Sequence, residues 1–228
     1  MPTLPSPYAD VASATKGFLP VDEGEALYAA ALTAARGTWL EVGTYCGKST
    51  VHLGAAAREV GAQLVTLDHH RGSEENQPGW EWHDASLVDP HTGRLETLPS
   101  LRHTLWDAGL DDVVSVLAAT TQQVARWWTT PLTLLFLDGN HTEEVAQHDY
   151  AAFAPHVVPG GLLAVHDVFD DDAIWPAECS SWTAAAVVLA ADALVGGPTL
   201  ALFAGHDLPA GVSAGDTCSD CSGALQHP

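Results

Sequence analysis

Four short stretches of this chain carry residues whose types and spacing could do chemistry. The first, Thr38-Trp39-Leu40-Glu41-Val42-Gly43-Thr44-Tyr45-Cys46-Gly47-Lys48-Ser49-Thr50, reads as a strand, a glycine-bearing turn and a helix start. Gly43 and Gly47 lack Cβ atoms, so the turn can take positive φ and let a ligand touch the main chain, while the opening helix offers unpaired N–H groups. Such a turn suits a nucleotide-like ligand. Glu41, at the mouth of the strand, tolerates a cationic or hydroxyl-rich ligand better than a polyphosphate. The second stretch, residues 63–68, is an apolar run ending in Asp68. The third ends in Asp138 and continues Gly139-Asn140-His141, and the fourth, residues 162–168, contains His166-Asp167. If the last two runs are parallel strands, Asp138 and the His166-Asp167 pair lie on one sheet edge and converge beside the ligand.

A phosphate-binding reading competes for the first stretch. Gly43-x-x-x-Gly47-Lys48-Ser49 is one residue short of G-x-x-x-x-G-K-[ST], and Asp138 could stand for the strand-end acid that supports magnesium in NTPases and kinases of that type. The shortfall matters, because a phosphate cradle needs a set number of converging amides and a lysine shifted by one position points elsewhere.

Positioning these residues requires an alternation of strands and helices, which the pattern supplies. A helix is expected over 23–36, where Ala and Leu dominate, then strand 38–42, helix 49–59, strand 63–68, helix 98–108, strand 112–118, helix 122–127, strand 132–138, helix 142–154 and strand 162–168. Continuous apolar runs such as Leu134-Leu135-Phe136-Leu137 mark buried parallel strands. The expectation is an α/β fold with a doubly wound, mostly parallel sheet, helices on both faces and ligands outside the carboxyl ends of the strands. Beyond it, an Ala-rich helix over 182–192 and an antiparallel pair at 193–195 and 199–204 are expected. The domain spans 1–205, and 206–228, rich in Gly, Ser, Asp and Pro, reads as a disordered tail. The polar insert 69–99 leaves the ligand side of the second strand and is expected either to act as a lid, with Trp80 and His83 folding over the site, or to be a surface loop pinned by Trp80 and Trp82.

The pattern E-x-G-x-x-x-G with Asp68 after it resembles the cofactor site of class I S-adenosylmethionine methyltransferases, a Rossmann-like fold. The resemblance covers about residues 23–169. It implies that Glu41, Gly43, Thr44, Gly47 and Ser49 bind the methionine part of S-adenosylmethionine, that Asp68 holds the ribose hydroxyls, and that Thr120, with Thr121, meets the adenine. The far edge is similar to that of metal-dependent small-molecule O-methyltransferases of the catechol and macrocin types. That likeness implies a divalent ion, magnesium or manganese, on Asp138, His166 and Asp167, with His141 as general base. A histidine suits this work, since its pKa near neutrality lets it take the proton of an alcohol or phenol. His166 departs from the catechol-type pattern, which has an oxygen ligand there, and a nitrogen shifts preference towards manganese, iron or zinc. The implied activity is methylation of a small hydroxylated molecule. The alternative of another class is a non-catalytic protein of the same fold.

Composition agrees. The chain of 228 residues has 8 Lys plus Arg against 29 Asp plus Glu, a formal charge of −21. Nucleic acid and anionic membranes are therefore not expected as partners, since both need phosphate neutralisation by cations. A small-molecule substrate fits better, and a homo-oligomer is left open. Four cysteines, without a disulfide pattern, and no apparent signal peptide suggest a cytoplasmic protein. Cys218 and Cys221 read as incidental thiols in the tail, Trp127-Trp128 as packing, and Asp149 and Tyr150 as structural.

Overall fold

A computed structural model describes residues 2–80, 82–139, 142–166, 187–190 and 200–202. Helices α1 (Tyr8–Ala14) and α2 (Val21–Ala31) precede strand β1 (Thr38–Val42). Then α3 (Lys48–Val60), β2 (Gln63–Asp68), α4 (Leu98–Ala108), β3 (Val114–Ala118), α5 (Thr121–Ala125), β4 (Leu132–Leu137), α6 (Glu143–Phe153) and β5 (Val157–Val165) alternate. Two short strands, β6 (Val187–Ala190) and β7 (Leu200–Leu202), complete a seven-stranded sheet of order β3-β2-β1-β4-β5-β6-β7. The first five strands are mutually parallel, and β6 and β7 are antiparallel.

The period of two along each strand divides the core into two layers. Trp39, Leu64, Leu134 and Phe136 face α1 to α4, where Leu27, Val51, Leu53, Leu101 and Leu105 are buried with them. Leu40, Leu67, Leu135 and Leu163 face the other way, against Val124, Trp128 and Phe153. Helices on both faces meet the expectation of a doubly wound sheet. Trp128 is buried edge-on to Phe153, as a packing residue should be, but its neighbour Trp127 stands in solvent.

Two expectations are corrected. Residues 187–190 lie inside the span read as an Ala-rich helix, yet they form β6, paired with β5 from Val165↔Val187 to Leu162↔Ala190. Val187 and Val188 are β-branched and Leu189 is apolar, and the open edge of β5 supplies a partner that outweighs the helix preference of the surrounding alanines. The strand expected at 193–195 and the tail from 206, with Cys218 and Cys221, lie outside the described residues. The second correction is α1, a seven-residue helix in the stretch before residue 23, where no element was expected. Among the described residues, no helix is long and apolar enough to cross a membrane.

Candidate functional site

The chain runs β1 to β2 to β3 in one direction across the sheet and β4 to β5 in the other, so the order reverses between β1 and β4. Such a switch point leaves a crevice outside the strand ends. A cavity of about 340 Å³ opens there, floored by Val42, Gly43 and Leu67 and flanked by Asp68, Asp138 and His166.

The glycine turn is built for close approach. Gly43 has φ +89°, and a Cβ there would lie 1.9 Å from the carbonyl oxygen of Asp138, so β1 and β4 leave the sheet almost in contact. Gly43 is therefore demanded by the neighbouring chain as well as by a ligand. Gly47 begins α3 with φ +94° and sits over Leu101. Thr104 Oγ1 donates to the Cys46 carbonyl at 2.9 Å and steadies the second half of the turn.

Asp68 occupies the amides of this turn. Its Oδ2 accepts from the N–H groups of Thr44 (3.0 Å) and Tyr45 (2.9 Å), and its Oδ1 accepts from that of His70 (2.7 Å). A phosphate would need those same donors and would meet a carboxylate already seated on them. The phosphate-loop reading fails on this geometry. The site instead suits a ligand that is cationic near Asp138 and rich in hydroxyls near Asp68.

Glu41 departs from its expected role of facing the ligand. Alternation along β1 turns it to the same side as Trp39, under α3, where it is wholly buried and does not line the cavity. Ser49 Oγ donates to its Oε1 at 2.7 Å, and Thr50 and Thr66 hydroxyls donate to Oε2 at 2.7 and 2.6 Å. Burial pushes its carboxyl up to about 7, against the three hydroxyls, which lower it. Glu41 thus holds the cavity-lining Ser49 from behind, while Thr66 passes the contact on to Thr44.

Of the other cofactor candidates, Gly43, Thr44, Ser49, Asp68 and Thr120 line the cavity, and Gly47 lies behind it. Thr120 also caps α5, its Oγ1 accepting from the Gln123 N–H at 3.2 Å. Asp138 and His166 come together at the cavity edge, whereas His141 and Asp167 lie outside the described residues. His166 Nε2 is 2.6 Å from Glu23 Oε2 and Nδ1 is 3.0 Å from Asp138 Oδ1, so the ring stands between two carboxylates. Among the described residues there is no group of three His, Cys, Asp or Glu placed to hold a metal ion.

The structure adds residues that the sequence reading missed or set aside. Asp149, read as structural, lines the cavity behind Gly139; it is almost fully buried, and burial raises its carboxyl pKa. Lys16 and Phe18, between α1 and α2, form part of the rim. Phe18 meets Tyr45 (5.5 Å between centroids) and Trp82 of the insert (5.1 Å, edge to face), and Lys16 binds Asp84 and Ser86.

The insert is closed at its root, where the His70 ring is 2.8 Å from Thr97 Oγ1 and the Thr97 N–H donates to the His70 carbonyl. Leu87 and Leu95, buried against Tyr45 and Cys46, pin it. Trp80, 54% exposed, does not, and Trp82, 49% exposed, does so only through its edge-to-face contact with Phe18. His83 turns inward to the Asn76 carbonyl, and neither it nor Trp80 lines the cavity. Because Lys16 and Asp84 are both partly exposed, Lys16→Ala is expected to lower stability by less than about 1 kcal/mol. It should nevertheless speed amide exchange across residues 82–88, measured by hydrogen–deuterium exchange with residues 63–68 as the unaffected reference.

This arrangement has known counterparts in fold. A candidate O-methyltransferase from Klebsiella pneumoniae superposes with a TM-score of 0.51 at 21% identity, over 76% of this chain and 71% of that one. The O-methyltransferase TomG from Streptomyces achromogenes, involved in tomaymycin synthesis and solved in complex with SAM, superposes with a TM-score of 0.50 at 18% identity, over 72% and 66% of the two chains. A family model described as a methyltransferase domain matches residues 40–168, which runs from β1 through β5 and takes in the glycine turn, Asp68, Asp138 and His166. With more than half of its length under that match, the chain belongs to the methyltransferase-domain family.

Proposed function

We propose that the protein is an S-adenosylmethionine-dependent O-methyltransferase acting on a small hydroxylated molecule. The observation that carries this reading is the Asp68 carboxylate seated on the amides of Thr44 and Tyr45 at the switch-point cavity of a methyltransferase-family chain. It makes the turn a poor phosphate cradle while leaving acceptor capacity on Asp68 for ribose hydroxyls.

S-adenosylmethionine, when bound, supplies an electrophilic methyl group on a sulfonium. The chain's own part is to bind and orient. Gly43 lets the ligand lie against the main chain, Thr44 and Ser49 offer hydroxyls, Thr120 stands at the adenine end, and the Asp138 carboxylate presents negative charge near the cation. The acceptor hydroxyl needs its proton removed, and His141, three residues past Asp138, is the base in this reading. The metal part of the reading rests on Asp138 and Asp167, both oxygen donors suited to a hard cation. His166 is the third candidate ligand, beside Asp138.

Calorimetry with S-adenosylhomocysteine tests the proposal. Wild-type protein should bind it, and Asp68→Asn, which leaves an amide N–H facing either the donors of Thr44 and Tyr45 or that of His70, should weaken binding about 30-fold or more, as expected for losing hydrogen bonds to a charged acceptor. Failure of the wild type to bind S-adenosylhomocysteine, or tighter binding of ATP that Asp68→Asn leaves untouched, would sink it.

A further inference from the structure

Helix α2 and the ends of β4 and β5 meet at one histidine. His166 has a side-chain exposure of 6%, between Glu23 at 15% and Asp138 at 19%. Its N–H donates to the Leu137 carbonyl at 2.9 Å, and its ring stands edge-on to Phe136 with centroids 6.4 Å apart, so backbone and ring are both held. Asp138, on the far side of the imidazole, donates its N–H to the Val42 carbonyl at 2.8 Å and carries the carbonyl that crowds Gly43. A continuous line of contacts therefore runs from Glu23 through His166 and Asp138 to the glycine turn.

We propose that Glu23 is a positioning residue of the methyl-transfer site: by engaging Nε2 of His166 it sets the imidazole whose Nδ1 faces Asp138. Two observations and one general rule carry this. Glu23 does not line the cavity, whereas His166 and Asp138 do, so Glu23 acts on a bound ligand only through them. Both imidazole nitrogens face carboxylate oxygens within 3.0 Å, so the ring is placed by the neighbours on its two sides. Orientation of an imidazole through its second nitrogen by a carboxylate is a general way of holding a ring in one pose. Without His166 between them, the Glu23 and Asp138 carboxylates would share a partly buried pocket, where like charges repel.

Its part in methyl transfer rests on the function proposed above; the Glu23–His166–Asp138 bracket does not, and the test separates the two. Uniformly ¹⁵N-labelled protein carries 12 imidazoles, and the ring signals lost in His166→Asn identify the one of interest. Glu23→Gln, with Glu23→Ala as a second variant, is expected to move the His166 ring signals and the backbone amides of Asp138 and Gly139 while leaving those of β1 to β3 in place, which also certifies the fold. In calorimetry with S-adenosylhomocysteine, Glu23→Gln should weaken binding about fourfold and Asp138→Asn about tenfold, with the double variant no weaker than Asp138→Asn alone, since residues acting through one contact are not additive.

Unmoved His166 signals in both Glu23 variants, or losses that multiply in the double variant, overturn the proposal. No binding of S-adenosylhomocysteine by the wild type counts against the methyltransferase reading, while the imidazole signals still judge the bracket.

Discussion

Gly43→Ala is expected to abolish measurable S-adenosylhomocysteine binding and to lower the unfolding free energy by about 2–4 kcal/mol, the sum of left-handed backbone strain and overpacking. The strain comes from φ +89°, and the overpacking from a Cβ placed 1.9 Å from the Asp138 carbonyl oxygen and 2.8 Å from the Gly139 Cα. Both obstacles are backbone atoms of β4's exit, so no rotamer change relieves them. β1 and β4 must part at their ends, and the floor of the cavity goes with them. Gly79→Ala is the control, since Gly79 has φ +98° but nothing within 4 Å of its would-be Cβ. It isolates the conformational cost, about 1–2 kcal/mol. Urea denaturation of the two variants at constant slope decides the matter: equal losses would mean that the close approach of β4 contributes nothing.

Glu41→Gln should change how stability depends on pH more than any surface substitution. The folded-state carboxyl titrates at about 7 against an ordinary 4.5, because burial outweighs the hydroxyls of Ser49, Thr66 and Thr50. A raised carboxyl pKa means that the folded protein binds the proton more tightly than the unfolded chain does. Below 4.5 both states hold it, and Glu41 costs nothing. Between 4.5 and 7 the unfolded chain ionises first, so this residue makes the protein less stable as pH rises, and above 7 the penalty is constant. The span of the window corresponds to about 3 kcal/mol. Wild type and Glu41→Gln compared by urea denaturation at pH 4 and pH 8 should therefore diverge, with the variant gaining relative to wild type at the higher pH. A constant difference across the range would show that the caged carboxyl ionises as readily as one in water.

The fold was largely legible because its signals are local. β1 and β2 run over the residues their apolar patterns marked, and β4 stops one residue before Asp138. Fully buried parallel strands advertise themselves in this way, with polar residues starting where the sheet ends. Of the edge strands, β7 lies inside the span 199–204 expected to be one, whereas β6 was harder to read because it borrows its pairing from β5. A segment rich in alanine carries too weak a local preference to announce that.

The site divides along the same line. Sequence alone determined that Gly43 and Gly47 bracket a turn at a strand end and that Asp68 and Asp138 leave the same edge of the sheet, since each follows from residue type and position within one strand–turn–helix unit. Only the tertiary structure decided what those residues touch. Glu41 faces α3 instead of the cavity because alternation along β1 puts it there and Thr66 stands opposite in register. Asp68 meets the amides of Thr44 and Tyr45 across two strands, the insert is held by Leu87 and Leu95 while its tryptophans stay outside, and Glu23 reaches His166 across 143 residues of chain. Contacts of that separation leave no periodicity in the sequence. They exist only because a sheet whose strand order reverses carries the ends of β1, β2, β4 and β5 to one rim.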